Sequence, residues 1–160
     1  PFRDGSFNLV SAFDVVEHCE PEAVALAELR RVLRPGGRML LSVPAYTWAW
    51  SDHDVRAGHH RRYTRPRLVS AVERAGFVVQ RASYGFAGVF PIFAAERLAR
   101  RVRPQPDTHQ LPEPSRTVER VLLGLSRAEA RWLRGHDAPF GSSVFLAADK
   151  PAALPTTGSV

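Results

Sequence analysis

Two kinds of hydrophobic pattern alternate along the chain. Short, nearly continuous apolar runs bounded by turn residues are typical of buried strands, and apolar residues that recur every three or four positions are typical of amphipathic helices. The short runs predict strands over residues 7–13, 38–43, 77–83 and 141–149. The helical spacing predicts helices over residues 21–33, 65–75, 89–102 and 115–134. The elements therefore alternate between strand and helix, which indicates an α/β fold.

The first strand, helix and strand together have the size of a βαβ crossover. The second strand, Arg38 to Val43, is almost entirely apolar, as strands covered on both faces of a parallel sheet are. Pro35-Gly36-Gly37 is a turn sequence that we expect to end the first helix. We predict a doubly wound, Rossmann-like sheet with helices on both faces.

Polar and aromatic residues follow the first two predicted strands. Asp14-Val15-Val16-Glu17-His18 comes after the first, and Pro44-Ala45-Tyr46-Thr47-Trp48 comes after the second. Ligands of open α/β sheets bind beyond the carboxyl ends of the strands. If the two strands are parallel neighbours, these two loops converge on one crevice.

Two stretches of this region resemble class I S-adenosylmethionine-dependent methyltransferases. They read PFRDGSFNLVSAFDVVEH and LRRVLRPGGRMLLSVP, and they are most similar to the small-molecule methyltransferase domain of type 11. The resemblance implies that the chain holds strands four to seven of that fold, the last of them antiparallel and formed by residues 141–151. The helix near 115–134 is then an insertion.

The resemblance also implies that part of the domain is missing from this sequence. No Gly-x-Gly-x-Gly run is present. We therefore expect strands one to three to lie upstream of Pro1, so that residues 1–150 form the C-terminal part of a methyltransferase domain. Within it, 104–135 is a loop plus helical insertion, and 151–160 is expected to be a disordered tail. Such a fragment is expected to bind the cofactor poorly and to be inactive alone.

The cofactor implied by the resemblance is S-adenosyl-L-methionine. Its predicted contacts are Phe2 near the adenine and Phe13 and Asp14 near the sulfonium, with Val15 and His18 beside them. The implied reaction is direct displacement at the methyl carbon, with His18 as the candidate base and Glu17 as its catalytic neighbour. The imidazole pKa of about 6.5 suits proton transfer near neutrality, although a capping or orienting role would explain His18 equally well.

The loop after the second strand is rich in aromatic and basic residues, which suit a substrate surface. The predicted acceptor residues are Tyr46, Trp48, His59, Arg61, Arg62 and Tyr63. The alternative is a loop held on the sheet by buried aromatic rings. We expect no bound metal, although the donors of Asp14, Glu17 and His18 would suit a divalent ion, as would His53, His59 and His60.

Composition and charge leave other functions open. The net charge is +6, and residues 55–103 carry 11 basic and 2 acidic groups. This excess permits a basic nucleic-acid-binding module, although we expect no nucleic-acid partner. A truncated or degenerate, non-catalytic methyltransferase-like domain is the other alternative.

Localisation and acceptor class follow from weaker signals. The single cysteine, Cys19, excludes a disulfide framework, and no apolar run reaches the length of a membrane span. We expect a cytoplasmic protein that acts on a small-molecule or lipid-linked acceptor. Residues 84–103 turn from apolar to basic, a pattern that suits peripheral membrane contact.

Overall fold

The computed structural model describes residues 1–102 and 115–152 of the chain. Its strands are β1 (Phe7–Phe13), β2 (Leu33–Pro44), β3 (Val78–Gly85) and β4 (Ser143–Asp149). Its α-helices are α1 (Glu22–Val32), α2 (Asp52–Ala57), α3 (Arg65–Arg74), α4 (Phe90–Val102) and α5 (Arg116–Trp132). Each predicted strand and helix is present, with shifted ends in several cases.

The described strands form one mixed sheet in the order β1-β2-β4-β3. β1 and β2 are parallel neighbours, and β4 runs antiparallel to both β2 and β3. β3 therefore points the same way as β1 and β2, and the carboxyl ends of all three lie at one edge of the sheet. The α/β fold class and the antiparallel last strand are confirmed.

The core lies between the sheet and helices α1 and α3. Leu26 of α1 and Leu68 and Val72 of α3 are completely or almost completely buried. They belong to one cluster with the inward-facing residues of β2 and β4, namely Met39, Leu41, Val43, Val144, Leu146 and Ala148. Burial of these side chains is the main favourable term that holds the two loops after β1 and β2 in place.

The turn Pro35-Gly36-Gly37 does not separate α1 from β2 as predicted. α1 ends at Val32, and the turn lies inside the extended β2 segment. The Gly36 N–H donates to the Lys150 carbonyl at 2.9 Å, and the Lys150 N–H donates to the Gly37 carbonyl at 2.8 Å. Because these groups bond to the chain that follows β4, the turn becomes a bulge of the sheet and not a break before it.

The long loop after β2 contains two short helices that the hydrophobic pattern does not reveal. A 3₁₀ turn spans Thr47–Ala49, and α2 follows with a capping box in which Ser51 and Asp54 satisfy each other's backbone N–H groups. Gly58 ends α2 in the left-handed conformation, with φ of 72°. A Ser-x-x-Asp spacing followed by glycine is a recognisable helix signal, and it was the one that could have predicted α2.

β4 begins at Ser143 and not at Gly141, because the chain passes very close to the end of β3 before it enters the sheet. A Cβ on Gly141 would lie 2.1 Å from the Gly85 carbonyl oxygen. Only glycine allows this approach.

Helices α4 and α5 contribute little to the core. The described side chains of α5 are all at least partly exposed, and Leu133 just beyond it packs against the core cluster. The predicted linker 104–114 and residues 153–160 of the predicted tail lie outside the described residues. Within the described ranges, none of the helices combines the length and apolar character that crossing a bilayer requires.

Candidate active site

Strained backbone marks the edge where the parallel strands end. Among the described residues, three that are not glycine have positive φ: Asp14 (52°), Tyr46 (61°) and Phe86 (61°). They follow β1, β2 and β3 respectively, so all three lie at the same edge. Such conformations cost roughly 1–3 kcal/mol each and cluster at functional sites. Asp14 and Tyr46 are predicted site residues, whereas nothing in the sequence pointed to Phe86.

The loop after β1 presents a carboxylate between two exposed apolar side chains. The Asp14 N–H donates to the Ser42 carbonyl at 3.0 Å, and the Ser42 hydroxyl donates to Asp14 Oδ1 at 3.3 Å. Phe13 and Val15 on either side are 55% and 47% exposed. The predicted cofactor residues Phe13, Asp14 and Val15 are thus brought together at the end of β1.

Glu17, His18 and His59 form a cluster that joins the two loops. One ligand-capable atom from each lies within 4.8 Å of the others, and the rings of His18 and His59 have centroids 4.6 Å apart. The His60 N–H donates to the Glu17 carbonyl at 2.8 Å, which ties the loops together. The two predicted catalytic residues therefore meet a predicted acceptor residue more than 40 positions away in sequence.

The carboxyl group of Glu17 is unusual because it is completely buried. Within the described part of the chain, neither of its oxygens has a hydrogen-bond partner. Burial raises the pKa of Glu17 above its ordinary value, and the nearby charge of Asp14 acts in the same direction.

Asp54 is buried inside the loop after β2, where it bonds to other residues of the same loop. It was not among the predicted site residues. Its buried carboxylate accepts hydrogen bonds from Arg62 Nε at 2.8 Å and Nη2 at 3.0 Å, and His59 Nδ1 lies 2.8 Å from Oδ1. Burial opposes ionisation, but the hydrogen bonds from Arg62 and His59 outweigh it and hold the pKa of Asp54 below its ordinary value. Its sequence signal was the capping box with Ser51.

The predicted acceptor residues Arg62 and Tyr63 are buried, and their polar groups bond to other parts of the chain. Arg62 is only 5% exposed and also donates to the Ala45 carbonyl at 3.2 Å. Tyr63 is completely buried, and its hydroxyl donates to Glu22 Oε2 at 2.6 Å. Burial and the Glu22 carboxylate raise the pKa of Tyr63 above its ordinary value. Both side chains hold the loop against the fold.

Arg61 also serves mainly as a tether. Its guanidinium donates to the carbonyls of Val16 and Cys19 and pairs with Glu20, so it links the loop after β2 to the loop after β1. One side of Arg61 lines a surface cavity of about 320 Å³ together with Trp50, His60 and Arg67, among others.

The predicted aromatic residues Tyr46 and Trp48 form a wall at the end of β2. The ring of Tyr46 stacks on the rings of Trp48 and Tyr84, with centroids 5.7 and 5.2 Å apart. The centroid of the Phe90 ring, in α4, lies 5.4 Å from that of Tyr46. Burial, with a contribution from Tyr84, raises the pKa of Tyr46 to about 12. The Tyr46 phenol is therefore neutral at physiological pH and can donate a hydrogen bond.

Phe2 lies away from the rest of the predicted site. Its ring packs on Phe7, at the amino end of β1, with centroids 5.0 Å apart. Asp14 lies at the carboxyl end of the same strand, about 20 Å away at 3.3 Å per residue. The structure does not bring Phe2 together with the other predicted cofactor residues.

An apolar surface cavity lies near the strand ends, on the face of the sheet opposite helices α1 and α3. It has a volume of about 260 Å³, and its lining includes Phe13, Leu40, Tyr84, Leu133 and Phe145. Phe13 is the predicted site residue that reaches it.

Comparison with known proteins agrees with the resemblance seen in the sequence. The profile of a family described as a methyltransferase domain matches residues 1–82. A probable S-adenosylmethionine-dependent methyltransferase of Mycolicibacterium smegmatis is 37% identical over 82 residues, which are 50% of this chain and 32% of that protein. The chain thus spans about a third of the length of this curated relative.

Solved structures share the fold at low sequence identity. The [4+2]-cyclase SpnF superposes with a TM-score of 0.54 and 22% identity, over 96% of this chain and 53% of that one. Phosphoethanolamine N-methyltransferase 2 of Haemonchus contortus, solved with S-adenosyl-L-methionine, gives a TM-score of 0.53 and 17% identity, over 94% of this chain and 35% of that one. These matches confirm the Rossmann-like methyltransferase fold.

The predicted cofactor, S-adenosyl-L-methionine, is the cofactor of this family. The residues at the end of β1 suit it chemically. The Asp14 carboxylate complements the positive charge of a sulfonium or ammonium group, and the exposed Phe13 and Val15 offer apolar contact. Family profile, fold and cofactor chemistry agree, and the chain belongs to the methyltransferase domain family.

Proposed function

We propose that the edge formed by the loops after β1 and β2 binds S-adenosyl-L-methionine and directs transfer of its methyl group to a small-molecule or lipid-linked acceptor. The observation that carries the proposal is the position of Asp14 and Tyr46. These two strained residues stand at the ends of adjacent parallel strands, inside the segment that matches the methyltransferase family.

The proposal divides the edge into two sides. Phe13, Asp14 and Val15 form the cofactor side, where the bound group supplies a methyl carbon already activated by the sulfonium. Glu17 and His18 stand at the reacting end, next to His59. Tyr46 and Trp48 provide the aromatic wall against which the acceptor is held.

Positioning is the main contribution expected of the protein. Direct displacement at an activated carbon requires the acceptor atom to lie in line with the bond that breaks and water to be excluded. The ring of Tyr46 stacks on the rings of Trp48 and Tyr84, and the faces of these rings are apolar. The aromatic wall therefore suits a planar or hydrocarbon part of an acceptor.

A second part of the proposal concerns affinity. The chain contains no Gly-x-Gly-x-Gly run, so we propose that residues 1–160 supply only part of the cofactor site. Cofactor binding by this chain alone is then weaker than micromolar, and the chain alone is inactive.

Nuclear magnetic resonance tests both parts. We expect S-adenosyl-L-methionine to shift backbone amide signals of residues 13–18 with a millimolar dissociation constant, and the Asp14→Asn variant to lose these shifts. Asp4→Asn is the matched control, because Asp4 is an exposed aspartate at the other end of β1. Shifts confined to other regions would refute the location. Micromolar or tighter binding would refute the partial site.

A fold does not by itself determine a reaction. The structural neighbour SpnF is a [4+2]-cyclase, so a domain of this shape can have a role other than methyl transfer. The nucleic-acid alternative gains no support from the basic segment. Its arginines Arg61, Arg62 and Arg81 face Glu20, Asp54 and Asp137, and these ion pairs reduce the charge available to a phosphate backbone.

A further inference from the structure

We propose that Glu17, His18 and His59 form a binding site for a divalent transition-metal ion, of which Zn²⁺ is the best match. This departs from the expectation, drawn from the sequence, that the chain binds no metal. Three features favour such a site: the carboxyl group of Glu17 has no hydrogen-bond partner among the described residues, two imidazoles lie beside it, and Asp54 supports one of them.

The carboxyl group of Glu17 needs a partner that the described residues do not provide. It is completely buried, and neither oxygen has a hydrogen-bond partner in the part of the chain that the structure describes. An unpaired buried carboxylate is costly unless it is paired with a positive charge or coordinates a metal. A cation next to Glu17 would remove this cost.

The two imidazoles stand where the ligands of such a cation would be. One donor atom from each of Glu17, His18 and His59 lies within 4.8 Å of the other two. Donors around a tetrahedral zinc ion lie about 3.4 Å apart, since each is about 2.1 Å from the metal. The donor atoms would therefore have to close by up to about 1.4 Å. Rotation of the exposed His18 ring can bring its nitrogen closer to the other two donors.

Asp54 prepares His59 to act as a ligand. Its carboxylate lies 2.8 Å from His59 Nδ1, which leaves Nε2 as the ring nitrogen that can face a metal ion. A carboxylate behind a metal-binding histidine is the usual way in which proteins fix the tautomer and the ring orientation. Asp54 is itself held by Arg62, so this support is rigid.

The donor set determines which metal suits the site. Two imidazole nitrogens and one carboxylate oxygen favour first-row transition ions, whereas Mg²⁺ and Ca²⁺ prefer sites made of oxygen donors. Three protein ligands leave at least one coordination position open, as in catalytic zinc sites. His18 is exposed, so the open position faces solvent at the strand edge.

The position of the site has a consequence for the acceptor, and this consequence rests on the proposed function. An ion in the open site would hold an acceptor through an oxygen atom next to the methyl donor and would lower the pKa of a bound hydroxyl. His18 would then act through the ion and not as a free base.

The test is metal binding by the untagged, chelator-treated chain. Calorimetry with Zn²⁺ is expected to give one site per chain with a dissociation constant of micromolar or below, and Co²⁺ is expected to produce visible absorption typical of a site with nitrogen and oxygen donors. These readouts do not depend on methyl transfer or on cofactor binding, so their failure and that of the proposed function are distinguishable.

Variants locate the site. Glu17→Gln, His18→Gln and His59→Gln should each weaken Zn²⁺ binding at least tenfold, while His136→Gln, at a remote and exposed histidine, should leave it within twofold. His18→Gln carries little risk to folding because the side chain is exposed. The proposal fails if the wild-type chain does not bind Zn²⁺ stoichiometrically, or if the Glu17 and His18 variants bind it as tightly as the wild type.

Discussion

The buried ion pair between Asp54 and Arg62 leads to the sharpest prediction about stability. Asp54→Asn keeps the shape of the side chain but leaves the guanidinium of Arg62, which is 5% exposed, without its charged partner. Removing one member of a buried pair costs about 3–5 kcal/mol. A domain of this kind has a free energy of unfolding of about 5–15 kcal/mol, so the variant should lose a large part of its stability.

Asp149→Asn is the matched control. Arg38 and Asp149 form a pair of the same two-point geometry, with distances of 2.7 and 3.0 Å, compared with 2.8 and 3.0 Å for Arg62 and Asp54. The Arg38 side chain is 55% exposed and that of Asp149 is 25% exposed, so water screens the pair and its loss should cost much less than the loss of the buried pair. The difference between the two variants reports the effect of burial together with the contacts of Asp54 to Ser51 and His59.

Urea unfolding followed by tryptophan fluorescence, with a chelator present, measures both variants. A double variant that combines Asp54→Asn with Arg62→Met should be more stable than Asp54→Asn alone, because no charge is then left buried and unpaired. A destabilisation by Asp54→Asn no larger than that by Asp149→Asn would contradict this expectation, as would a double variant less stable than Asp54→Asn alone.

Three further predictions concern stability, pH and membrane contact. Gly141→Ala should lower the free energy of unfolding by about 1–3 kcal/mol, because its Cβ would clash with the Gly85 carbonyl. Gly124→Ala should raise the free energy of unfolding by about 0.5–1 kcal/mol, because Gly124 lies in α5 with open space around it. Urea unfolding that ranks the two variants in the opposite order would contradict this prediction. Tyr46 has a pKa of about 12 in the folded chain and about 10 in the unfolded chain. The neutral phenol therefore contributes to the free energy of unfolding below pH 10, and this contribution is lost as the pH rises towards 12. Tyr46→Phe should remove that part of the decline in urea midpoints between pH 9 and 12, and an unchanged decline would disprove the assignment. If α4 contacts membranes through exposed residues such as Ile92, which is 71% exposed, the chain should float with anionic liposomes and Ile92→Asp should reduce flotation; no flotation by the wild type would exclude such contact.

The predictions that succeeded depend on local pattern. The apolar runs predict the strands, and β1 has the predicted bounds, Phe7 to Phe13. Two stretches resemble the family, and one of them contains Asp14-Val15-Val16-Glu17-His18. Both lie inside residues 1–82, which match the family profile, so the family could be recognised from the linear sequence. Strand ends were less accurate. The bulge at Gly36 depends on hydrogen bonds to Lys150, more than 100 residues away, which no local pattern contains.

The surroundings of the predicted side chains also depend on packing, for a related reason. Asp14, Tyr46 and His18 were predicted from their positions after strands, and the parallel pairing of β1 and β2 brings their loops together. Arg62 and Tyr63 stand in the same loop but face inwards. Whether an arginine in a loop meets a ligand or a buried carboxylate depends on the side to which the chain turns.

The class of fold and the family could be predicted from the linear sequence, because each depends on patterns of residues close together along the chain. Packing alone shows that Glu17 is buried with no hydrogen-bond partner among the described residues, and that His59 lies beside it. Packing also places the carboxylate of Asp54 within hydrogen-bond distance of both Arg62 and His59. Burial and proximity across 40 residues are properties of packing, since they arise when separate segments exclude water from one another.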